Sequence, residues 1–359
     1  MADLNETFAG TTAVREQHRF DVRALEAYMR EHVDGFSGPL AVEQFKGGQS
    51  NPTYRLTAGN RRYVLRRKPP GKLLPSAHAV DREYKVMTAL GTAGFPVPRT
   101  YALCTDEAVI GTAFFVMDCV DGRIFWEQSL PGMPAGERAP IYDEMNRVIA
   151  SLHSIDYAAI GLADYGRPGN YFTRQIRRWT DQYRASETQK IEAMDNLIAW
   201  LPANIPPGDE TTIVHGDYRL DNMIFHPAEP RVLAVLDWEL STLGHPLADF
   251  SYHCMSWHIV PGGGHGARGI GGLDHAALGI PTEREYVRRY CERTGRGDPD
   301  AVMADWNFYL AYNLFRIAGI LQGIAKRIEV GTASSAQARQ SAAGTRPLAE
   351  MGWRIAQQS

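Results

Sequence analysis

His215, Asp217 and Asn222 stand in the run Ile213-Val-His-Gly-Asp-Tyr-Arg-Leu-Asp-Asn222, and Asp237 closes the apolar stretch Ala234-Val-Leu-Asp237. A carboxylate at Asp217 can orient a hydroxyl nucleophile, and the amide oxygen of Asn222 can hold a hard cation. Asp237 supplies a second hard oxygen. Such a set suits phosphoryl transfer, because a triphosphate is a crowded polyanion whose charge divalent cations must offset as a phosphoryl group leaves. The His-x-Asp-x-x-x-x-Asn triplet alone arises by composition. An aspartate at the end of an apolar strand, one hairpin downstream, gives it weight. Pro227-Ala-Glu-Pro230 reads as a turn between strands 223–226 and 231–236, so the hairpin sets Asn222 and Asp237 side by side.

The elements that must position these groups follow from pattern. An amphipathic helix over 22–29 starts at an aspartate N-cap, Asp21. Strands are expected at 41–46, 53–57 and 61–67, the last two joined by a tight turn at Gly59-Asn60. Between the first two, Gly47, Gly48, Gln49, Ser50 and Asn51 form a small-residue loop whose backbone amides can cover phosphates. It is not a Walker loop. A helix over 81–90 aligns Val80, Tyr84, Met87 and Leu90 on one face, and Glu83 shares that face. A carboxylate on an apolar stripe needs a buried cationic partner, and Arg66 at the end of the preceding strand is the candidate. Phe114-Phe-Val-Met117 is a fully apolar strand leading into a turn. It reads as a connector between lobes, with the backbone around Met117 and Cys119 facing an adenine. Helices are expected downstream at 139–154, 171–183, 190–200, 283–292 and 301–328. Gly264-His-Gly-Ala-Arg-Gly269 matches a dinucleotide fingerprint but has neither the strand before it nor the helix after it, so it reads as a surface loop or lid.

Composition bounds the rest. With 359 residues, 44% hydrophobic and 22% charged, the chain can bury a large core, and a net charge of -3 favours neither nucleic acid nor an anionic membrane. No uninterrupted apolar run is long enough to span a membrane, and the N-terminus lacks the basic-then-apolar order of a signal peptide, so the expected location is the cytoplasm. Cys104, Cys119, Cys254 and Cys291 are dispersed and suggest neither a disulfide framework nor a zinc site.

Taken together, Gly47-Gly-Gln-Ser-Asn51, Tyr63-Val-Leu-Arg66, Arg82-Glu-Tyr84, the 215–222 motif, Leu236-Asp-Trp238 and His245-Pro-Leu-Ala-Asp249 resemble the aminoglycoside phosphotransferase superfamily. The stretches 64–75 and 315–323 are similar to the subgroup that also occurs fused to acyl-CoA dehydrogenase domains. The resemblance implies an α+β, bilobal protein-kinase-like fold, with an N-lobe over 1–117 and a mainly helical C-lobe over 118–359. It implies a small-molecule kinase using ATP or GTP with Mg2+. Asp217 is then the catalytic base or the residue that orients the nucleophile, His215 braces the loop, Asn222 and Asp237 hold magnesium, and Asp249 caps the catalytic-loop backbone. Arg66 and Glu83 hold the α- and β-phosphates, with arginine standing where the superfamily usually has lysine.

The acceptor pocket of this superfamily falls on 165–184, which here holds five arginines and one acid. Arg174, Arg177, Arg178 and Trp179, with Arg316 from the later helix, suit an anionic acceptor such as a hydroxyacyl-CoA. Phosphorylation of an aminoglycoside, sugar or amino alcohol is the alternative, and a non-catalytic nucleotide-binding module is another. A protein substrate is disfavoured, since eleven residues between Asp237 and Asp249 leave no room for an activation segment. No nucleic-acid or membrane partner is expected, and the sequence leaves the oligomeric state open.

Overall fold

The computed structural model describes residues 10–46, 51–69, 79–262, 269–331 and 336–358. Their contacts divide the chain into two compact units. The first comprises the chain up to Trp126 with Ala158–Tyr165 and Asp221–Ser241; the second comprises Glu127–Tyr157, Gly166–Leu220 and the chain from Thr242 onward.

In the first unit the order is β1 (Thr11–Thr12), α1 (Val22–His32), β2 (Ala41–Phe45), β3 (Thr53–Ala58), β4 (Arg61–Arg67), α2 (Val80–Thr92), β5 (Thr100–Cys104) and β6 (Phe114–Asp118). Among the described residues these strands form one antiparallel sheet in the order β1-β2-β3-β4-β6-β5. Asp21 starts α1 as its pattern requires, its carboxylate accepting from the backbone N–H of Arg23 at 2.8 Å and Ala24 at 3.1 Å. Tyr54, Leu56, Tyr63, Leu65, Phe114 and Val116 form a core with Leu25 and Met29 of α1. Each fully buried Leu, Val or Phe in such a layer contributes roughly 1.5–3 kcal/mol. Strand side chains alternate faces, so with Tyr63 and Leu65 in that core, Val64 and Arg66 point to the opposite face. Register pairs Arg66 with Phe115 and Val64 with Met117.

β5 was not expected. It is a short edge strand after Pro98, paired to β6 with a register shift between Thr100 and Ala102, and its mixed polarity gives no clean alternation. The expected hairpin is present as Met223–Phe225 and Val232–Val235, with Met223 opposite Val235. Arg123 and Phe225 exchange two backbone hydrogen bonds of 2.8 Å, which ties the hairpin to the chain just beyond β6. Gly122 permits that approach, since a Cβ there would stand 2.2 Å from the Phe225 carbonyl oxygen. The compact units therefore do not follow a single cut after residue 117.

The second unit is mainly helical: α3 (Ala135–His153), α4 (Tyr171–Ser186), α5 (Glu192–Ala203), α6 (Pro246–Cys254), α7 (His275–Leu278), α8 (Glu283–Thr294), α9 (Pro299–Ala304), α10 (Trp306–Glu329), α11 (Ala336–Ala342) and α12 (Thr345–Ala356). A two-stranded ribbon, Thr212–Val214 with Thr242–Gly244, accompanies them. The single helix expected over 301–328 is two. Asp298 caps α9 ahead of Pro299, and Asp305, at φ -100° and ψ 7°, turns the backbone between α9 and α10. Aspartate is a weak helix former that favours such junctions. α10 is the core helix, packed against α12, α4, α6 and α5. No helix of the described residues is long and apolar enough to cross a membrane.

Two buried histidines give this unit a pH signature. His245 caps α6, its Nδ1 accepting from Leu247 N at 3.2 Å, and His253 meets the Tyr286 hydroxyl at 2.8 Å. Burial lowers both rings to about 4. Between the usual histidine range and about 4 the unfolded chain binds protons that the folded one refuses, so stability falls as pH falls. The slope is about 1.4 kcal/mol per pH unit per histidine. Urea titrations at pH 7, 6 and 5 should show His253→Gln losing less stability on acidification than the wild type. Parallel pH profiles for the two proteins would refute this.

Candidate active site

In the second unit, the strand Thr212–Val214 delivers the chain into His215, Gly216 and Asp217. The loop is held from below by Asp249 in the first turn of α6. Its two carboxylate oxygens accept from His215 N at 2.7 Å and Gly216 N at 2.8 Å. His153 joins the same carboxylate at 3.2 Å and also meets the Tyr290 hydroxyl at 2.7 Å. Burial opposes charge on Asp249, but His153 and the backbone donors outweigh it and hold its pKa below the ordinary carboxylate value. Burial likewise lowers His153, so it stays neutral at neutral pH. His215 is fully buried, and its Nδ1 accepts from Asp217 N at 3.2 Å. This imidazole fixes loop backbone.

The Asp217 carboxylate accepts a hydrogen bond from the Tyr252 hydroxyl, and Arg219 Nε lies 3.4 Å from the same oxygen. Arg316 of α10 is buried and donates to the Gly216 carbonyl at 2.7 Å. Its guanidinium lies over the Tyr252 ring at 5.3 Å and the Trp179 ring at 5.9 Å. Arg178 stacks on Trp179 at 5.5 Å. Of the five candidate acceptor residues, Arg178, Trp179 and Arg316 thus form one contact chain that reaches Asp217 through Tyr252. Arg174 instead donates to the Arg167 carbonyl at 2.5 Å, and Arg177 is exposed. The indole N–H of Trp179 is buried with no hydrogen-bond partner among the described residues.

In the first unit, Arg66 Nε meets Glu83 at 2.8 Å, and Arg66 Nη2 meets Asp237 at 2.8 Å and Glu239 at 3.3 Å. Glu83 is 1% exposed and also accepts from Asn51 Nδ2 at 3.0 Å. Burial pushes Glu83 up to about 7, with Arg66 working against it. Burial also disfavours the charge on Arg66, but Glu83, Asp237 and Glu239 outweigh it and raise its pKa. Arg66 thus faces three carboxylates, Glu83, Asp237 and Glu239.

Asp237 follows the second hairpin strand in the left-handed region, at φ 66° and ψ 58°. Among the described residues only Leu130 and Asn170 share that distinction outside glycine. Such a conformation costs about 1–3 kcal/mol, and persists where the surroundings impose it. The Leu236 N–H donates to the Asn222 carbonyl at 2.8 Å, so the two ends of the hairpin lie together. An amide oxygen and a carboxylate are the hard donors that Mg2+ takes, and the acid-rich surroundings of Asp237 suit a cation. No cluster of three or more His, Cys, Asp or Glu able to hold a metal occurs among the described residues. Two protein donors fit a magnesium ion that keeps waters and shares the rest of its shell with substrate phosphates. Met117 lies buried in β6 and Cys119 follows it, half-buried. Gly47, Gly48, Gln49 and Ser50 lie outside the described residues, as does most of the 264–269 loop.

A model of the phosphotransferase enzyme family (APH) matches residues 41–291, the span carrying every one of these groups except Arg316. The chain belongs to this family. Acyl-CoA dehydrogenase family member 10 of Mus musculus is 48% identical over 347 residues, covering 96% of this chain and 32% of the relative. The chain therefore spans about a third of that relative's length. A solved structure from Ralstonia eutropha, described as a candidate aminoglycoside phosphotransferase, is 62% identical with a TM-score of 0.85, covering 95% of this chain and 99% of that one. A thermostable mutant of aminoglycoside phosphotransferase APH(4)-Ia, in ternary complex with ADP and hygromycin B, shares the fold at 14% identity and a TM-score of 0.58, covering 92% and 98%. The protein-kinase-like α+β architecture, with its antiparallel sheet and helical remainder, is thus the family's own.

Three groups beside these candidate residues carry little signal in the sequence. Tyr252 sits in Phe250-Ser-Tyr-His253, a run that reads as core aromatics. His153 ends α3 far from the motif in sequence. Glu239 alone carried a signal, an acid two residues beyond a proposed metal ligand.

Proposed function

We propose that this chain transfers the γ-phosphoryl group of ATP or GTP to a hydroxyl of a small anionic metabolite, a hydroxyacyl-CoA ester being the preferred class. Asp217 accepts the hydroxyl's proton or orients it, and Asp249 and His215 keep the loop rigid. Asn222 and Asp237 would hold Mg2+, which when bound offsets charge on the phosphates. Arg66, kept charged by Glu83, binds the phosphates that the nucleotide brings. The ADP complex of the structurally similar phosphotransferase supports a nucleotide donor.

The observation that carries the acceptor's charge is the Arg178, Trp179 and Arg316 stack linked to Asp217 through Tyr252. Arginine forks suit phosphate or carboxylate, and the aromatic plane suits an adenine. A polycationic aminoglycoside would need carboxylates along α4, and the stretch 165–184 holds one acid, Asp181. The acyl-CoA dehydrogenase name of a relative that extends well beyond this chain adds support for an acyl-CoA substrate.

A phosphotransfer screen with ATP consumption as readout tests the reading. Hydroxyacyl-CoA esters should be phosphorylated faster than kanamycin-like amines, sugars or amino alcohols. Arg177→Glu with Arg178→Glu should raise the acyl-CoA KM at least about tenfold, a loss of one charge-assisted contact, with less effect on kcat. Faster turnover of an amine, or an unchanged KM, would defeat the assignment. Absence of transfer to every acceptor with both nucleotides would favour the non-catalytic module instead.

A further inference from the structure

We infer that Tyr252 is a positioning residue that sets the orientation of the Asp217 carboxylate, with Arg316 as the brace beneath it. The inference rests on the reading of Asp217 as the group that orients the acceptor hydroxyl. Asp249 and Tyr252 lie three apart on α6, so they project from one face of the helix. That face serves a single loop twice. Asp249 holds its backbone at His215 and Gly216, and Tyr252 donates to its one catalytic side chain. A rigid helix thereby fixes both the position and the rotation of the carboxylate.

Tyr252 is 8% exposed, and a buried phenol needs a hydrogen-bond partner. Its hydroxyl spends that need on Asp217. Burial keeps the phenol protonated, so it remains a donor at any working pH. Arg316 stops the ring from swinging away, because its guanidinium lies over the ring at 5.3 Å while being tied to the Gly216 carbonyl at 2.7 Å. The competing neighbour is Arg219, 3.4 Å from the same Asp217 oxygen. Arg219 is substantially exposed, and surface ion pairs hold geometry poorly. Without Tyr252 the carboxylate loses the donor that α6 holds in place. Pre-organisation of a reacting group matters in the transition state more than in substrate binding, so the loss should fall on kcat.

Tyr252→Phe keeps the ring, its packing and its contact with Arg316 while removing the donor. It is expected to lower kcat about 10- to 100-fold and to change the KM for nucleotide and acceptor less than about threefold. A purely structural tyrosine would lower the melting temperature without this split between kcat and KM. 3-Fluorotyrosine at position 252, a stronger donor of the same shape, should restore kcat.

An activity-free measurement separates this proposal from the function it rests on. In the fluorinated protein without substrates, the 19F resonance should shift when Asp217→Asn is introduced, and Arg219→Gln should shift it less. If no acceptor is turned over but the resonance responds to Asp217→Asn, the positioning contact stands and the functional reading falls. If the resonance ignores Asp217→Asn, or if Tyr252→Phe leaves kcat unchanged in an active enzyme, the proposal is overturned.

Discussion

Asp217→Ala is expected to lower kcat by about 10²–10⁴-fold while leaving nucleotide affinity almost unchanged. The reason lies in what touches the side chain. Its neighbours include Tyr252 and Arg219, which orient it, whereas its backbone is already fixed through His215. Deleting the carboxylate removes the group that positions an acceptor hydroxyl and leaves the loop that carries it. Asp237→Ala should do the opposite. Asp237 belongs to the acid cluster around Arg66, so its loss should weaken binding of the metal-nucleotide complex and appear first in KM for nucleotide. Calorimetry with Mg-ATP on both variants, alongside steady-state kinetics, separates the two roles. Small and equal effects from both would contradict the assignment.

How much of this site is legible in sequence depends on whether its geometry is local. The hairpin is local: a proline at each end of a four-residue turn, between apolar strands, forces Asn222 and Asp237 together whatever surrounds them. The Arg66 and Glu83 pair is legible for another reason. A carboxylate on the apolar face of α2 is a burial problem with one economical solution, and β4 offers it. Tyr252 carries no such signal, because a tyrosine flanked by Phe250 and His253 satisfies the pattern of a core helix before its hydroxyl is considered. β5 is also non-local, set by pairing with β6, whereas the break at Asp305 follows from a local cap, Asp298 before Pro299, that the apolar periodicity over 301–328 masks. The compact units show the same limit, since the 221–241 segment returns to the first unit through contacts with Arg123 that no linear cut can express.

Arg66→Met is expected to destabilise the first unit increasingly as pH rises, by about 1.4 kcal/mol more at pH 8 than at pH 5, because it strands Glu83 as a buried carboxylate without its cation. The pH dependence gives the mechanism a sign. A carboxyl whose folded pKa is raised, as Glu83's is to about 7, stabilises the fold fully below its unfolded value and loses that contribution as pH rises through the folded one. Removing Arg66 pushes Glu83 further in the same direction. The penalty should therefore be small at pH 5, where the stranded carboxyl can protonate, and large at pH 8. Glu83→Gln in the Arg66→Met background should recover most of the loss, and the double-mutant cycle measures the coupling. Arg66→Lys is the sharper variant. It preserves the charge, but one ammonium cannot reproduce a guanidinium that reaches Glu83 through Nε and Asp237 through Nη2. It should be nearly as stable as wild type at pH 5 and bind nucleotide differently, since lysine frees Asp237 from a contact that competes with a cation. Urea unfolding at pH 5 and 8 decides the matter. Equal losses at both pH values for Arg66→Met would mean that the cluster acts through packing, and that the arginine does not serve to hold Glu83 charged.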